Sequence, residues 1–236
     1  MAERPYTLLS CSMSIDGYID GATESRLLLS NALDFDRVDR ERASVDAILV
    51  GATTVRNDDP RLLVRDPERR RQRRDRGLRE NPLKVTVTQR GVLDASSRFF
   101  ADDGSRKLVY GSSCVADRLR RRLDEVAEVV DGGDPVRMRA LTEDLHARGV
   151  RRLMVEGGGA VHTQFLADDL VDELQLVVAP FFVGEPGARR FVGEGRFPWH
   201  PGRRAVLAST EQLGDVVLLT YALSDRFEEA EPLRRT

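Results

Sequence analysis

Short apolar runs alternate along the chain with stretches in which charged and apolar residues recur at helical spacing. Most of the runs are continuously apolar, which is typical of strands that are buried on both faces of a parallel sheet. Turn residues close several of them, as Gly51 does after the run at 47–50. The pattern predicts strands at residues 6–14, 47–50, 83–88, 107–110, 129–130, 153–155, 174–179 and 216–222.

Helices are predicted between these strands. Ser30 and Asn31 provide an N-cap for a helix over 32–43, and Gly149 provides a C-cap for a helix over 136–148. Helical spacing also predicts helices over 117–128 and 160–167. The alternation of strand and helix predicts an α/β fold, with a mostly parallel central sheet and helices on both faces.

The pattern indicates one domain. No linker divides the chain, so we expect a single domain over residues 1–223. The charged segment 224–236 is expected to be a flexible tail.

Composition and charge exclude several classes of protein. The chain has 236 residues, of which 41% are hydrophobic and 32% charged, as in globular rather than disordered proteins. Its formal charge is −2, so the molecule has no overall field that would attract nucleic acid or anionic lipid. No apolar stretch is long enough for a membrane span, and residues 1–10 lack the features of a signal peptide. We therefore expect a cytoplasmic protein with no membrane partner.

Metal and nucleophilic chemistry find little support in the sequence. Cys11 and Cys114 lie far apart, and the histidines His146, His162 and His200 form no HExxH pair. We expect no metal site, and the chain also lacks the GxSxG motif of serine hydrolases.

The stretch from Arg65 to Arg76 is unusually rich in arginine. It could bind nucleic acid, but it lacks aromatic residues for base stacking and acidic residues interrupt it. We interpret it as a solvated surface loop and expect no nucleic-acid partner.

Two glycine-containing turns carry the candidate chemistry. Gly157-Gly158-Gly159 follows a strand and precedes a helix, a geometry that suits a pyrophosphate, although many such turns use glycine only for tightness. The segment from Gly51 to Arg65 follows another buried strand with hydroxyls, carboxylates and arginines. It could bind a ligand at the sheet edge, or its residues could simply cap a helical turn and form a type I turn.

Four segments together resemble the riboflavin-pathway pyrimidine reductases, which include the reductase domain of the bifunctional deaminase–reductase and its stand-alone archaeal and fungal relatives. The resemblance extends from about Tyr6 to Tyr221, and the stand-alone form is the more similar one. The segments are Ser14-Ile15-Asp16-Gly17; Ser30-Asn31 with 43–62; Asn81-Pro82; and 155–159 with 170–174 and Ala179-Pro180.

The resemblance implies a dihydrofolate reductase-like fold, a homodimer and the cofactor NADPH. The implied substrate is a phosphorylated pyrimidine, 2,5-diamino-6-ribosylamino-4(3H)-pyrimidinone 5′-phosphate or its deaminated form, whose ribosylamino group is reduced to ribitylamino. Hydride transfer to the sugar C1′ requires an opened ring, in which that carbon is electrophilic.

The resemblance also implies roles for individual residues. Asp58 and Glu156 are the catalytic candidates, with Asp58 assisting proton transfer and Glu156 facing the pyrimidine. The substrate-binding candidates are Arg42, Leu62, Arg65 and Glu156. The cofactor-binding candidates are Met13, Leu28, Thr54, Asp58, Gly157, Gly158, Gly159, Ala160, Val161, His162, Thr163 and Gln164.

The chain departs from this family at two places. Ser10-Cys11-Ser12-Met13 stands where the bifunctional proteins have a lysine, and Thr88-Gln89-Arg90 where relatives often have Asp-Ser. Arg90 could bind the 2′-phosphate of NADPH or lie in a surface loop. We expect His162 to face solvent rather than a phosphate.

An alternative function keeps the fold and the NADPH but changes the substrate to dihydrofolate or an intermediate of specialised metabolism, because a fold does not fix a substrate.

Overall fold

The computed structural model describes residues 3–22 and 27–227. Within these ranges the chain forms one sheet of nine strands and six α-helices. The strands are β1 Tyr6–Ser14, β2 Ala47–Gly51, β3 Leu83–Thr88, β4 Lys107–Gly111, β5 Glu128–Asp131, β6 Arg152–Gly157, β7 Glu173–Ala179, β8 Val206–Leu213 and β9 Val216–Ala222. The helices are α1 Ala32–Ser44, α2 Ala52–Asp58, α3 Pro67–Asp75, α4 Ser113–Leu123, α5 Met138–Ala147 and α6 Gly159–Ala167.

The sheet is mostly parallel, as the apolar runs predict. Its strand order is β5-β4-β3-β2-β6-β1-β7-β9-β8, and β1 to β7 run in the same direction. Strand β9 is antiparallel to β7 and forms a hairpin with β8 at one edge. Strand β6 lies at the centre of the sheet, between β2 on one side and β1 on the other.

Helices cover both faces of the sheet, which confirms that prediction. One core packs strand residues such as Leu8 and Ile48 against the apolar sides of α2 and α4. The other packs the alternate strand residues, such as Leu9 and Leu49, against α5 and α6. Because successive side chains of a strand point to opposite faces, each central strand contributes to both cores.

Two predictions are wrong: a loop that contains a helix, and the position of one helix. The arginine-rich stretch is not a loop: it contains helix α3, which the Asp66 side chain caps by accepting hydrogen bonds from the amides of Glu68 and Arg69. Asp66-Pro67 is a helix-start signal and arginine favours helices, so the sequence does contain a signal for α3. The high charge of the stretch led to its interpretation as a loop. Helix α4 begins and ends before the predicted 117–128, because Glu128 pairs with Leu108 in the sheet.

Strand β8 was not predicted. Its residues are nearly all exposed, because it forms the edge of the sheet and has a bulge beside Leu207. An exposed edge strand has no buried apolar face, so its sequence lacks the alternation of apolar and polar residues on which strand prediction depends.

The predicted tail begins within the described residues, at Ser224. The Ser224 hydroxyl donates a hydrogen bond to Asp172 at 2.6 Å, and Arg226 Nη1 lies 3.5 Å from the same carboxylate. Residues 228–236 lie outside the described residues. In the part of the chain that is described, no helix has the length and apolar character needed to cross a membrane.

Candidate active site

A cleft of about 1510 Å³ opens at the carboxyl ends of β1, β2, β3 and β6. Helix α6 begins at this edge on one face of the sheet, while α1 and α2 contribute side chains from the other face. Ligands of open α/β sheets bind at such an edge, where the strand order changes direction. The cleft joins both glycine-containing turns that the sequence singles out.

The turn at the start of α6 is packed too closely to carry side chains. A Cβ atom at Gly158 would lie 3.2 Å from Thr54 Oγ1, and one at Gly159 would overlap the Arg190 carbonyl oxygen. The amides of Gly159 and Ala160 belong to the first turn, where no helical carbonyl is available to accept from them. These N–H groups and the positive end of the helix dipole favour an anion in the cleft.

Most of the predicted cofactor-binding residues line the cleft. Thr54 and Asp58 of α2, Leu28, and residues 158–164 all reach it. Met13 and Gly157 do not: Met13 packs against the core beneath α5 and α6, and Gly157 is buried behind the turn. The binding roles of all these residues remain predictions.

His162 is buried, so the expectation that it faces solvent is wrong. Its Nδ1 lies 3.1 Å from the Phe191 carbonyl oxygen, and its Nε2 has no partner among the described residues. Burial lowers the pKa of His162 to about 4, and the hydrogen bond to Phe191 offsets only part of this effect. The imidazole is therefore neutral near pH 7, with Nδ1 donating and Nε2 an acceptor.

Arg42 and Glu156 form a two-point ion pair inside the cleft. Arg42 Nε donates to Glu156 Oε1 and Nη2 donates to Oε2, each at 2.7 Å. Burial disfavours the charge of Arg42, but the carboxylate outweighs this effect and holds the pKa of the guanidinium above its ordinary value. Nη1 also donates to the Leu63 carbonyl at 3.3 Å. Because all three nitrogens are engaged, Arg42 supports Glu156 instead of facing a phosphate. The carboxylate is thereby fixed in one orientation at the cleft wall.

Arg65 is the more accessible cation of the predicted substrate site. Its guanidinium carbon lies 5.9 Å from the centroid of the Phe35 ring, and it forms no ion pair within the described ranges. Its backbone amide donates to Asp39 Oδ1 at 2.5 Å, which fixes where the side chain begins. Leu62 also lines the cleft and is buried, with a left-handed φ of 51°.

Residues 5–219 match the family model described as the RibD C-terminal domain. The chain belongs to this family. It is 41% identical to the 2,5-diamino-6-ribosylamino-4(3H)-pyrimidinone 5′-phosphate reductase of Archaeoglobus fulgidus, over 77% of this chain and 83% of that one. It is 34% identical to the reductase of the same name from Methanothermobacter thermautotrophicus, over 93% of this chain and 99% of that one. The resemblance read from the sequence motifs is confirmed.

Solved structures show the same dihydrofolate reductase-like fold. A pyrimidine reductase-like protein of Corynebacterium diphtheriae has a TM-score of 0.74 at 22% identity, covering 92% of this chain and 91% of that one. The deaminase/reductase of Thermotoga maritima has a TM-score of 0.73 at 24% identity, covering 93% of this chain. This chain spans 56% of that longer protein.

In this member of the RibD C-terminal domain family, the sequence pattern missed the segment that closes the cleft. Arg189 and Arg190 line the cleft from a stretch without regular structure. Ile19 donates a backbone hydrogen bond to the Arg189 carbonyl at 2.8 Å, and Phe191 donates to Gly17 at 3.1 Å. A segment that is positioned by such long-range contacts shows no helical or strand periodicity of apolar residues, so the sequence pattern does not predict it.

Several arginines of α3 form hydrogen bonds or ion pairs within the protein. Arg69 bonds to Asp36 and Asp39, and Arg71 bonds to Glu68. Arg73 is buried and donates to the carbonyls of Ala43 and Val45. These pairings leave little unpaired positive charge for a nucleic-acid backbone. Over the described residues, no group of three or more potential ligands is placed to hold a metal ion.

Proposed function

We propose that the chain is an NADPH-dependent reductase of riboflavin biosynthesis that converts the ribosylamino group of a pyrimidine 5′-phosphate into ribitylamino. One observation carries the proposal: the N-terminus of α6 and the side chain of Arg65 line the same cleft. The first offers amides to a diphosphate, and the second offers a guanidinium to a sugar phosphate. The archaeal relatives are named for this reaction on the diamino pyrimidine, and the deaminated form is the second candidate substrate.

The residues present fit a dinucleotide. A volume of about 1510 Å³ exceeds that of a pocket for a single small ligand, roughly 300 to 1,000 Å³, and so leaves room for a cofactor and a substrate together. Bare backbone at Gly158 and Gly159 permits close approach of a diphosphate, beside Thr54. We assign cofactor binding to Met13, Leu28, Thr54, Asp58 and residues 157–164, with Met13 and Gly157 acting from behind the cleft wall.

A reductase of this family implies a nicotinamide cofactor, and we infer NADPH rather than NADH. Arg90 is exposed at the end of β3, lines the cleft, and has no carboxylate partner in the described part of the chain. A free guanidinium at this strand end can bind a 2′-phosphate. Arg90→Ala should therefore lower the ratio of kcat/KM for NADPH to that for NADH about tenfold or more, since a charge-assisted contact is lost.

When bound, the cofactor supplies a hydride to the sugar C1′ of the ring-opened substrate. The residues of this chain orient the acceptor for that reaction. Arg65 holds the 5′-phosphate beside Leu62, and Glu156, fixed by Arg42, accepts hydrogen bonds from amino groups of the pyrimidine. Reduction also consumes one proton, and we assign its delivery to the imine nitrogen or ring oxygen to Asp58, which lines the cleft at the end of α2.

The decisive experiment mixes the purified protein with NADPH and each candidate substrate separately. Loss of the reduced-nicotinamide absorbance should require one of the two ribosylaminopyrimidine phosphates. Dihydrofolate is the matched negative substrate, because it tests the same fold with different chemistry. Oxidation that depends on dihydrofolate, or on neither pyrimidine, would overturn the proposal.

The role of Arg65 has a separate test. Arg65→Ala should raise the KM for the phosphorylated pyrimidine by about 10- to 100-fold, as expected when a charged hydrogen-bond donor to phosphate is lost. Arg71→Ala is the control, because Arg71 pairs with Glu68 on the exposed side of α3. An unchanged KM in Arg65→Ala, and in a variant that also lacks Arg42, would contradict the assignment of the phosphate site.

We also propose a homodimer with a single reductase domain over 1–223, located in the cytoplasm and without a nucleic-acid or membrane partner. Cys11 and Cys114 are both free, which suits a reducing compartment. Low retention of labelled nucleic acid on a filter at low and moderate salt would support the absence of that partner.

A further inference from the structure

Beneath helix α1 lies a buried polar group that the proposed reaction does not use. Asp34 and Arg37 are 0% and 4% exposed, and Arg37 Nε donates to Asp34 Oδ1 at 2.7 Å. Arg37 also donates to the side-chain oxygen of Gln175 on β7, whose amide nitrogen donates to Glu173 at 2.8 Å. Arg37 Nη2 is buried without a hydrogen-bond partner in the described residues, so the contacts of Nε and Nη1 are the ones that hold the Asp34 carboxylate in position.

Two serine hydroxyls connect this carboxylate to the cleft. Ser12 Oγ lies 3.4 Å from Asp34 Oδ2 and 3.1 Å from Ser30 Oγ. Ser12 and Ser30 both line the cleft, whereas Asp34 and Arg37 do not. The four residues Ser30, Ser12, Asp34 and Arg37 are called the hydroxyl chain below.

The ion pair sets the direction of every hydrogen bond in the hydroxyl chain. A carboxylate paired with arginine can only accept, so Ser12 donates its single proton to Asp34. Ser12 then has only lone pairs left for Ser30, and Ser30 must donate to it. The remaining lone pairs of Ser30 are consequently available to a ligand, and Ser30 has no proton left to offer.

We propose that Ser30 is an acceptor site for an N–H or O–H donor of the phosphorylated ribosylaminopyrimidine, and that Ser12, Asp34 and Arg37 are the positioning residues that fix it as an acceptor. The identity of this ligand rests on the proposed function. The donor is either a ring amino group or a sugar hydroxyl. Either group can donate a hydrogen bond to Ser30, whereas a carbonyl oxygen cannot.

Glu156 adds a second acceptor to the same wall. Strands β1 and β6 pair in parallel with Leu9 opposite Val155, so Ser12 and Glu156 project from the same face of the sheet. A substrate carbonyl placed against this wall would meet lone pairs, whereas an amino group would be bound. If Ser30 contacts the 2-amino group, which is a carbonyl in the deaminated form, the protein therefore prefers the diamino pyrimidine.

The test compares Ser30→Ala with wild-type protein on both pyrimidine phosphates, by steady-state kinetics and by calorimetric binding of each substrate without cofactor. Loss of one hydrogen bond should raise KM and Kd about 3- to 10-fold with kcat nearly unchanged. The 2-amino group as donor predicts this loss for the diamino form only. The 5-amino group or a sugar hydroxyl, which the two forms share, predicts it equally for both. Ser30→Thr, which keeps the hydroxyl, should restore binding.

Ser12→Ala tests the direction of the hydroxyl chain without removing a buried charge. It frees the Ser30 proton, so Ser30 can donate, and the preference should shift toward a substrate that offers an acceptor. Ser44→Ala, at the exposed end of α1, is the matched control. Unchanged KM and Kd for both pyrimidines in Ser30→Ala, while wild type is active, would refute the acceptor site alone; a wild type inactive on both would refute the proposed function instead.

Discussion

At the scale of single residues, charged side chains in the cleft wall are stabilised by ion-pair partners rather than by water. Arg42 and Glu156 show this most clearly, because each side chain is about 15% exposed, at 14% and 15%, and each satisfies the other. Removing one partner leaves the other charge desolvated and unpaired, which costs more than the pair contributes. The role proposed for Glu156 and the stability of the cleft wall are therefore coupled.

A double-mutant cycle over Arg42→Met and Glu156→Gln should give a coupling free energy of about 1 to 3 kcal/mol in urea unfolding. The exposed pair of Arg71 and Glu68 is the control, with an expected coupling of about 0 to 1 kcal/mol. The two pairs are both hydrogen-bonded at two points, so they differ mainly in burial. A coupling in the cleft no larger than in the control would show that Glu156 does not depend on Arg42.

Burial of His162 predicts that the free energy of unfolding depends on pH. Its pKa of about 4 in the folded protein lies below the value of 6.5 for an unperturbed histidine, so the unfolded chain binds an extra proton between these values. The stability contribution is complete above pH 6.5 and is lost as the pH falls toward 4. Between pH 7 and 4.5, wild type should lose roughly 2.5 kcal/mol of unfolding free energy more than His162→Leu.

Urea unfolding at several pH values measures this difference. His200→Leu serves as the control, because His200 is exposed and its replacement should leave the slope unchanged. If His162→Leu retains the full pH dependence of wild type, burial of the imidazole is not its cause.

At the scale of elements, the start of α6 is fixed by close contact with the segment at 189–194. Gly159→Ala should destabilise the protein by about 1 to 3 kcal/mol, because the new methyl group overlaps the Arg190 carbonyl in a packed site. It should also weaken binding of NADPH, measured by calorimetry, because the turn must shift away from the cleft. Thermal unfolding gives the stability change.

The matched control for Gly159→Ala is Gly193→Ala. A Cβ at Gly193 would lie 3.6 Å from Thr163 Oγ1, which is an ordinary contact, and Gly193 also lines the cleft. We expect little change in stability or NADPH affinity there. Equal effects in both variants would mean that loss of glycine flexibility, rather than overlap with Arg190, is responsible.

At the scale of the whole molecule, the hairpin of β8 and β9 leaves an apolar surface uncovered. Leu207 and Val217 are 51% and 41% exposed on one face, with Leu219 and Tyr221 beside them. Exposed apolar patches of this kind mark interfaces, so we place the proposed homodimer contact here.

If the proposed dimer uses this face, Leu207→Asp combined with Val217→Asp should convert it into a monomer, because two charges would be buried without partners in the interface. Light scattering coupled to size-exclusion chromatography measures the mass. Ser209→Asp adds charge at a residue paired with Thr220 on the other face, and it should leave the dimer intact. A dimer that survives the double substitution would place the interface elsewhere.

The sequence alone determined the elements whose pattern is local. The buried strands, the Asn31 cap of α1 and the glycine turn before α6 are all readable, because apolar period and capping chemistry act between near neighbours. Several motifs in a fixed order also identified the family. Even the missed helix α3 had a local signal at Asp66-Pro67.

Only the tertiary structure decided which charges face each other. Arg42 and Glu156 are 114 positions apart, and His162 meets Phe191 through a segment without regular structure. Burial, and with it the protonation of His162 and the direction of hydrogen bonds from Ser30 to Asp34, depends on the sum of long-range packing. Local sequence carries no record of that sum, because desolvation and ion pairing arise only when distant strands bring their side chains into one low-dielectric cleft.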